Sequence, residues 1–249
     1  MIAPLLLTLL SRFPGFEREL RLLPTLLRPG RVAVDIGAAL GVYAVPMAVL
    51  VGATGAVLAY EPRPEAAHRL RRLAGTLGFD HLQVHATALG ARPGQQQLVI
   101  PRRRRAVPGR SFLHPGAGTM ALDDRLRPGR VLDVPVSTLD DTRRSSDRPI
   151  DFIKCDVEGA EHDVFTGGHD VLTDDRPTVL CEIEDRHTRR YGGTVQRVLD
   201  LFARYDYRPV DLESLGCAPR NMLLVPRERS WPSIVAAPPR HAALAPTGG

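Results

Sequence analysis

The stretch Val32-Ala33-Val34-Asp35-Ile36-Gly37-Ala38-Ala39-Leu40-Gly41-Val42-Tyr43 decides how this chain folds. Its first five residues do not alternate, and only Asp35 interrupts an apolar run, as expected of a strand buried on both faces of a sheet. Gly37 and Gly41 then permit a tight turn and let bare backbone approach a ligand. A second apolar run follows and starts a helix. Strand, acid, glycine turn and helix make up the first unit of a nucleotide- or nucleoside-binding α/β sheet.

The same grammar repeats outward from that stretch. Leucines with arginines and glutamates between them over residues 5–27 predict a leading amphipathic helix, closed by Arg28-Pro29-Gly30. Such a helix packs on the domain or makes a peripheral membrane contact. The helix after the glycine turn is expected from near Gly41 to Val51, with Pro46 early enough that its missing N–H matters little. Residues 56–60 read as a second buried strand ending at Glu61. Pro64 opens the next helix, with Glu65 at the positive end of its dipole and Gly78 closing it. Residues 81–86 read as strand three, followed by a turn at Thr87-Ala88-Leu89-Gly90. Residues 95–100 alternate weakly, as an accessory strand, and residues 130–136 regain strand character. Ser137 is expected to cap the helix that follows. Residues 150–157, 177–183, 207–212 and 221–225 supply strands four to seven, and Thr194 caps a helix with Val195, Val198, Leu199 and Phe202 on one face. Strands alternating with helices give a mostly parallel sheet covered on both faces. The expected organisation is a helical segment over residues 1–30, a main domain over 31–226 and a Pro/Ala-rich tail over 227–249. Residues 101–130 form an irregular Arg/Pro/Gly-rich insertion within the domain.

Composition sets the class. The chain has 249 residues, 43% hydrophobic and 24% charged, as in a globular protein with a full core. Its formal net charge is +5, almost all of the cations are arginine, and Lys154 is the only lysine. Cys155, Cys181 and Cys217 have neither metal-ligand spacing nor a disulfide framework, which predicts a reducing, cytoplasmic setting and no metal site. The apolar N-terminus has no basic leader or small-residue cleavage pattern and is too short to span a bilayer. The run Arg102-Arg103-Arg104-Arg105 lacks the interleaved aromatics of a single-strand nucleic-acid binder, so nucleic acid is not the expected partner. This segment reads better as a solvated loop or a lid over a substrate.

Four acids, Asp35, Glu61, Asp156 and Glu182, each fall at the carboxyl end of a predicted strand, the edge where open parallel sheets bind ligands. Any one alone reads as a helix cap; four together read as a functional rim for a ligand with hydroxyl or ammonium donors. Glu61, at the end of strand two, is placed to reach the paired hydroxyls of a ribose, in NAD and other adenosine cofactors alike. The turn separates these. Its spacing is G-x-x-x-G rather than G-x-G-x-x-G, and an acid precedes the first glycine. A carboxylate there repels a pyrophosphate and favours an α-ammonium or a sulfonium. That points to S-adenosylmethionine.

These residues resemble the FkbM family of S-adenosylmethionine-dependent methyltransferases. The resemblance runs through Asp35-Ile36-Gly37-Ala38 with Gly41, Tyr60-Glu61-Pro62, Ala88-Leu89-Gly90 and Ser137-Thr138-Leu139-Asp140-Asp141. Its most specific block is Lys154-Cys155-Asp156-Val157-Glu158-Gly159-Ala160-Glu161. It implies a Rossmann-like seven-stranded, mostly parallel sheet with helices on both faces. It also places Asp35, Gly37, Ala38 and Gly41 around the methionine end, Glu61 and Pro62 at the ribose, and Ala86 and Thr87 near adenine. The implied acceptor is a hydroxyl of a sugar or secondary metabolite, a small molecule or glycan. One residue departs from the family: Ala39 stands where asparagine is usual.

Methyl transfer asks the protein to position an acceptor and to take up its proton. Asp156, Glu158 and Glu182 are the candidates for that work. His187, in a loop just beyond strand five, is either a solvated residue or a base. Two other readings share the same fold: a non-catalytic cofactor-binding or scaffold protein, and an NAD-dependent oxidoreductase.

Overall fold

A computed structural model describes residues 17–101, 111–114, 128–146, 148–210 and 212–229. In chain order the strands are β1 (Val32–Ile36), β2 (Ala56–Tyr60), β3 (Leu82–His85), β4 (Ala88–Leu89), β5 (Gly94–Pro101), β6 (Phe112–Leu113) and β7 (Pro128–Ser137), followed by β8 (Phe152–Cys155), β9 (Thr178–Glu182), β10 (Tyr207–Val210) and β11 (Asn221–Pro226). The α-helices are α1 (Leu23–Leu26), α2 (Ala44–Val51), α3 (Pro64–Thr76), α4 (Leu139–Arg144), α5 (Glu161–Thr166), α6 (Asp185–Thr188) and α7 (Val195–Arg204).

The main sheet has seven strands in the order β10-β11-β9-β8-β1-β2-β3. The five from β9 to β3 are parallel, and β11 runs antiparallel to both of its neighbours. The order reverses between β1 and β8, so the carboxyl ends of those two strands flank the crevice where ligands bind in such sheets. Every residue of β1 and β8 is buried, which is why neither shows polar alternation in sequence.

Side chains of a strand alternate between faces. Val32, Val34 and Ile36 enter the core that also holds Phe165, Val198 and Phe202, while Ala33 faces the one that holds Leu23, Met47 and Leu70. Asp35, Lys154 and Glu182 share the parity of Ala33, Phe152 and Leu180, all on that second face. Three charged groups are thereby brought to one side of one sheet edge.

A second sheet, in the order β4-β7-β5-β6, was only partly foreseen. The turn expected at residues 87–90 contains β4, which pairs in parallel with β7, and the stretch read as irregular supplies β6 and the start of β7. β4 and β6 are two residues each, too short for a periodicity, and the first four residues of β5 are exposed. A small core of Ala88, Leu98, Leu113, Val134 and Val136 holds this sheet together.

Local corrections follow the same physics. α2 begins at Ala44, three residues after Gly41, because the turn runs on to Tyr43. The cap of α4 is Thr138, whose hydroxyl accepts the Asp141 N–H while Asp141 reaches back, a capping box. Ser137 instead ends β7 and hydrogen-bonds Asp141. Thr194 caps α7 as expected. Of the leading helix, a 3₁₀ turn (Arg18–Leu22) and α1 are described, with Leu20, Leu22 and Leu23 in the core; its earlier part, residues 102–105 and the tail from residue 230 lie outside the described residues. No described helix is long and apolar enough to cross a membrane.

Candidate functional site

The glycine turn after β1 is wedged between two neighbouring strands. Gly37 and Ala38 both donate their N–H to the Tyr60 carbonyl at the end of β2, at 2.9 and 3.0 Å. On the other side, Asp156 N–H bonds Ile36 O at 2.9 Å. Gly37 has φ +83°, and a Cβ there would overlap the Asp156 carbonyl oxygen, so this position admits no side chain. Gly41, at φ +85°, packs away from the crevice, where a Cβ would meet Leu70 Cδ1 at 2.5 Å.

Between the glycines, Ala39 holds φ +47°. A left-handed conformation costs an alanine roughly 1–2 kcal/mol, whereas asparagine adopts it more readily. Ala39 thus keeps a turn conformation that asparagine favours, without the side chain that favours it. The Ala39 N–H compensates by donating to Glu61 Oε2 at 2.9 Å.

Glu61 is 3% exposed and fully engaged. Besides Ala39, it accepts the Arg63 N–H at 2.9 Å and the Arg63 guanidinium at 2.8 and 3.2 Å. Glu61, Gly37, Pro62, Thr87 and Asp156 line one cleft. Ser111, Phe112 and Leu113 line its other side. The β6 strand is pinned there by Tyr191, whose hydroxyl donates to Leu113 O at 2.7 Å, and by the Arg190 guanidinium 3.7 Å from the Phe112 ring centre.

Toward β8 and β9 the electrostatics change. Asp35 lies beneath the turn, 2% exposed, in register with Lys154 of β8, and its Oδ2 has no hydrogen-bond partner among the described residues. Burial pushes its carboxyl up to about 7, against the opposing pull of Lys154. Lys154 is 1% exposed, its Nζ 5.0 Å from the Tyr43 ring centre. Burial alone would lower the Lys154 pKa, but the charges of Asp156, Glu17 and Glu182 outweigh it and raise it. The Tyr43 hydroxyl donates to Glu17 Oε2 at 2.5 Å, tying the segment before α1 to this cluster. Glu182, bonded by Arg220 Nε at 2.8 Å, is pushed up to about 7 by burial and by Asp156.

The sequence-selected residues separate accordingly. Gly37, Glu61, Pro62, Thr87 and Asp156 meet at the cleft, whereas Asp35 and Ala38 are buried and do not line it. Ala86 sits next to Thr87, and Gly41 braces the turn against α3. Glu158 has φ +57° and pairs with His187, Oε2 to Nε2 at 3.1 Å. His187 is therefore no solvated loop residue: it is buried in α6, drawn in by Glu158. Sequence reading missed Arg63, although a cation two residues past a strand-end acid is a visible signal. It also missed Phe112, whose two-residue strand carries none.

A protein-L-isoaspartate O-methyltransferase of Methanocella arvoryzae is 43% identical over 58 residues, 23% of this chain and 31% of that protein. Among solved structures, a methyltransferase FkbM from Methylobacillus flagellatus KT aligns over 90% of this chain and 58% of its own, at 16% identity and a TM-score of 0.49. Aeropyrum pernix fibrillarin, solved with natively bound S-adenosyl-L-methionine, aligns over 90% of this chain and 72% of its own, at 13% identity and a TM-score of 0.44. The chain thus spans less than two thirds of the length of the first two. The methyltransferase FkbM domain model matches residues 35–209, from the acid under the glycine turn to the sixth strand of the main sheet, which is more than half of the chain. With the glycine turn and the four strand-end acids inside that span, the chain belongs to the FkbM methyltransferase family.

Proposed function

We propose that this protein is an S-adenosyl-L-methionine-dependent methyltransferase that methylates a hydroxyl oxygen of a sugar or secondary metabolite. The observation that carries the reading is the pairing of a glycine turn that admits no side chain at Gly37 with a buried, unpartnered Asp35 oxygen beneath it and Glu61 at its rim. That set of acceptors suits a ligand that is cationic at one end and carries a diol at the other. Asp35 and the Gly37 backbone hold the methionine end, Glu61 with Pro62 the ribose, and the Ala86-Thr87 turn the adenine side. When bound, the cofactor supplies an electrophilic methyl group.

The protein's own work is positioning and proton uptake. Asp156, on the cleft wall at the end of β8, orients the acceptor hydroxyl. Glu182, beyond it on the same face, takes the hydroxyl proton, its carboxyl near 7 suiting it to accept at neutral pH. Glu158, engaged with His187, holds the loop that carries Asp156. Asp156 and Glu182 stand beside the buried Lys154, and a carbohydrate or polyol acceptor, whose hydroxyls can donate to these carboxyls, suits this edge.

Two substitutions test the division of labour. Glu61→Ala is expected to lose S-adenosylhomocysteine binding, whereas Asp156→Asn binds it and loses methyl transfer to a hydroxyl acceptor. Normal binding by Glu61→Ala would refute the ribose assignment.

A further inference from the structure

The two oxygens of Glu61 accept N–H bonds from the Ala39 amide, the Arg63 amide and, twice, the Arg63 guanidinium. An ionised carboxylate offers about four acceptor positions, so all of them are in use. The two amides are fixed by the turn and by the helix start; Arg63 is the residue before α3, held between Pro62 and Pro64. The guanidinium is different in kind. It ends a long flexible side chain, 16% exposed, that folds back over the cleft-lining acid two residues earlier.

We propose that Arg63 competes with the cofactor's ribose for Glu61 and so sets cofactor affinity and the release of the spent cofactor. The inference rests on the reading of Glu61 given above. Two ribose hydroxyls replace two guanidinium donors, so the exchange conserves the count of hydrogen bonds to the carboxylate while breaking a charge-assisted pair. Binding therefore requires the Arg63 fork to open first, and apparent affinity is scaled down by the open fraction. After transfer, closure of the fork onto Glu61 displaces the hydroxyls of the product. Glu61 keeps both main-chain donors throughout, so the turn stays in place with the fork open or closed.

Calorimetric titration of the full chain with S-adenosylhomocysteine tests this. Arg63→Met keeps the aliphatic stem and both amide donors, and it is expected to bind about five- to tenfold tighter than wild type. Arg63→Lys, a single-point donor without the fork geometry, should fall between the two. Equal or weaker binding by Arg63→Met overturns the proposal, since it would mean that the guanidinium orients Glu61 for the ligand or does not touch binding at all. Should Arg63→Met not fold, Arg63→Lys decides, tighter binding supporting the competition and equal or weaker binding refuting it. Glu61→Ala separates the ribose assignment from the competition, because it removes the acceptors together with the partner of the guanidinium. If it binds like wild type, the ribose assignment fails and the competition with it. If it binds weakly while Arg63→Met matches wild type, only the competition fails.

Discussion

The carboxyl edge of the main sheet is built differently at its two ends. At the glycine turn and the end of β2 the polar groups have fixed partners: the Glu61 carboxylate meets four N–H bonds, and the Tyr60 carbonyl takes the Gly37 and Ala38 amides. Around β8 and β9, Glu161 and Glu182 are pushed up to about 7 by burial, as is Asp35 of the neighbouring β1, and one oxygen each of Asp35 and Glu161 has no partner among the described residues. Fixed hydrogen bonds hold geometry; buried carboxyls near neutrality hold exchangeable protons. The first end is suited to grip a ligand, the second to take a proton from one.

The largest expected effect probes the proton-exchanging end. Glu182 accepts a proton only when ionised, so the turnover of the wild-type enzyme should rise with pH through about 7 and then level. Glu182→Gln should lower kcat about 100-fold or more, abolish that limb and leave S-adenosylhomocysteine binding intact. A retained limb would move the proton acceptor elsewhere on this edge.

A smaller effect is thermodynamic. Glu161, whose Oε1 accepts the Gly159 N–H at 3.0 Å, is pushed up to about 7 chiefly by burial. With the folded value above the unfolded one, the folded state binds the extra proton, and its stabilisation is lost as pH rises through about 7. Glu161→Gln keeps the acceptor and removes the ionisation, so it should be more stable than wild type by about 2 kcal/mol near pH 8. The advantage should shrink on acidification. Thermal melting at about pH 8 and about pH 5 checks it, and an equal advantage at both would show that packing, not protonation, is responsible.

The smallest effect belongs to the gripping end. Ala39→Gly relieves the φ of +47° while retaining the N–H that Glu61 accepts. A stabilisation of about 1 kcal/mol is expected from the lost left-handed penalty, offset in part by backbone entropy of the unfolded chain. A loss of stability in urea melts would mean that the alanine methyl packs usefully in the turn.

How much of this could be read in the sequence differs between the two sheets. In the main sheet, β1, β2, β8 and β9 are buried on both faces, so their apolar runs stand out, and each ends at an acid that the fold then gathers on one edge. Parity along β8 even places Lys154 and Asp35 on one face, a relation that needs only the register Asp35↔Lys154 to appear. The second sheet was obscure because its strands are short or solvent-facing, and because pairs such as Ala88↔Val136 join residues far apart in sequence. Rotamer-level features such as the Arg63 fork and the His187–Glu158 pair depend on side-chain direction, which composition and spacing do not encode.

The central claim is that the glycine turn with Asp35 and Glu61 takes S-adenosylmethionine rather than a dinucleotide. Separate calorimetric titrations of the wild-type protein with S-adenosylhomocysteine and with NAD test it most directly. Saturable binding of S-adenosylhomocysteine and none of NAD is the expected result; saturable binding of NAD with none of S-adenosylhomocysteine would contradict it.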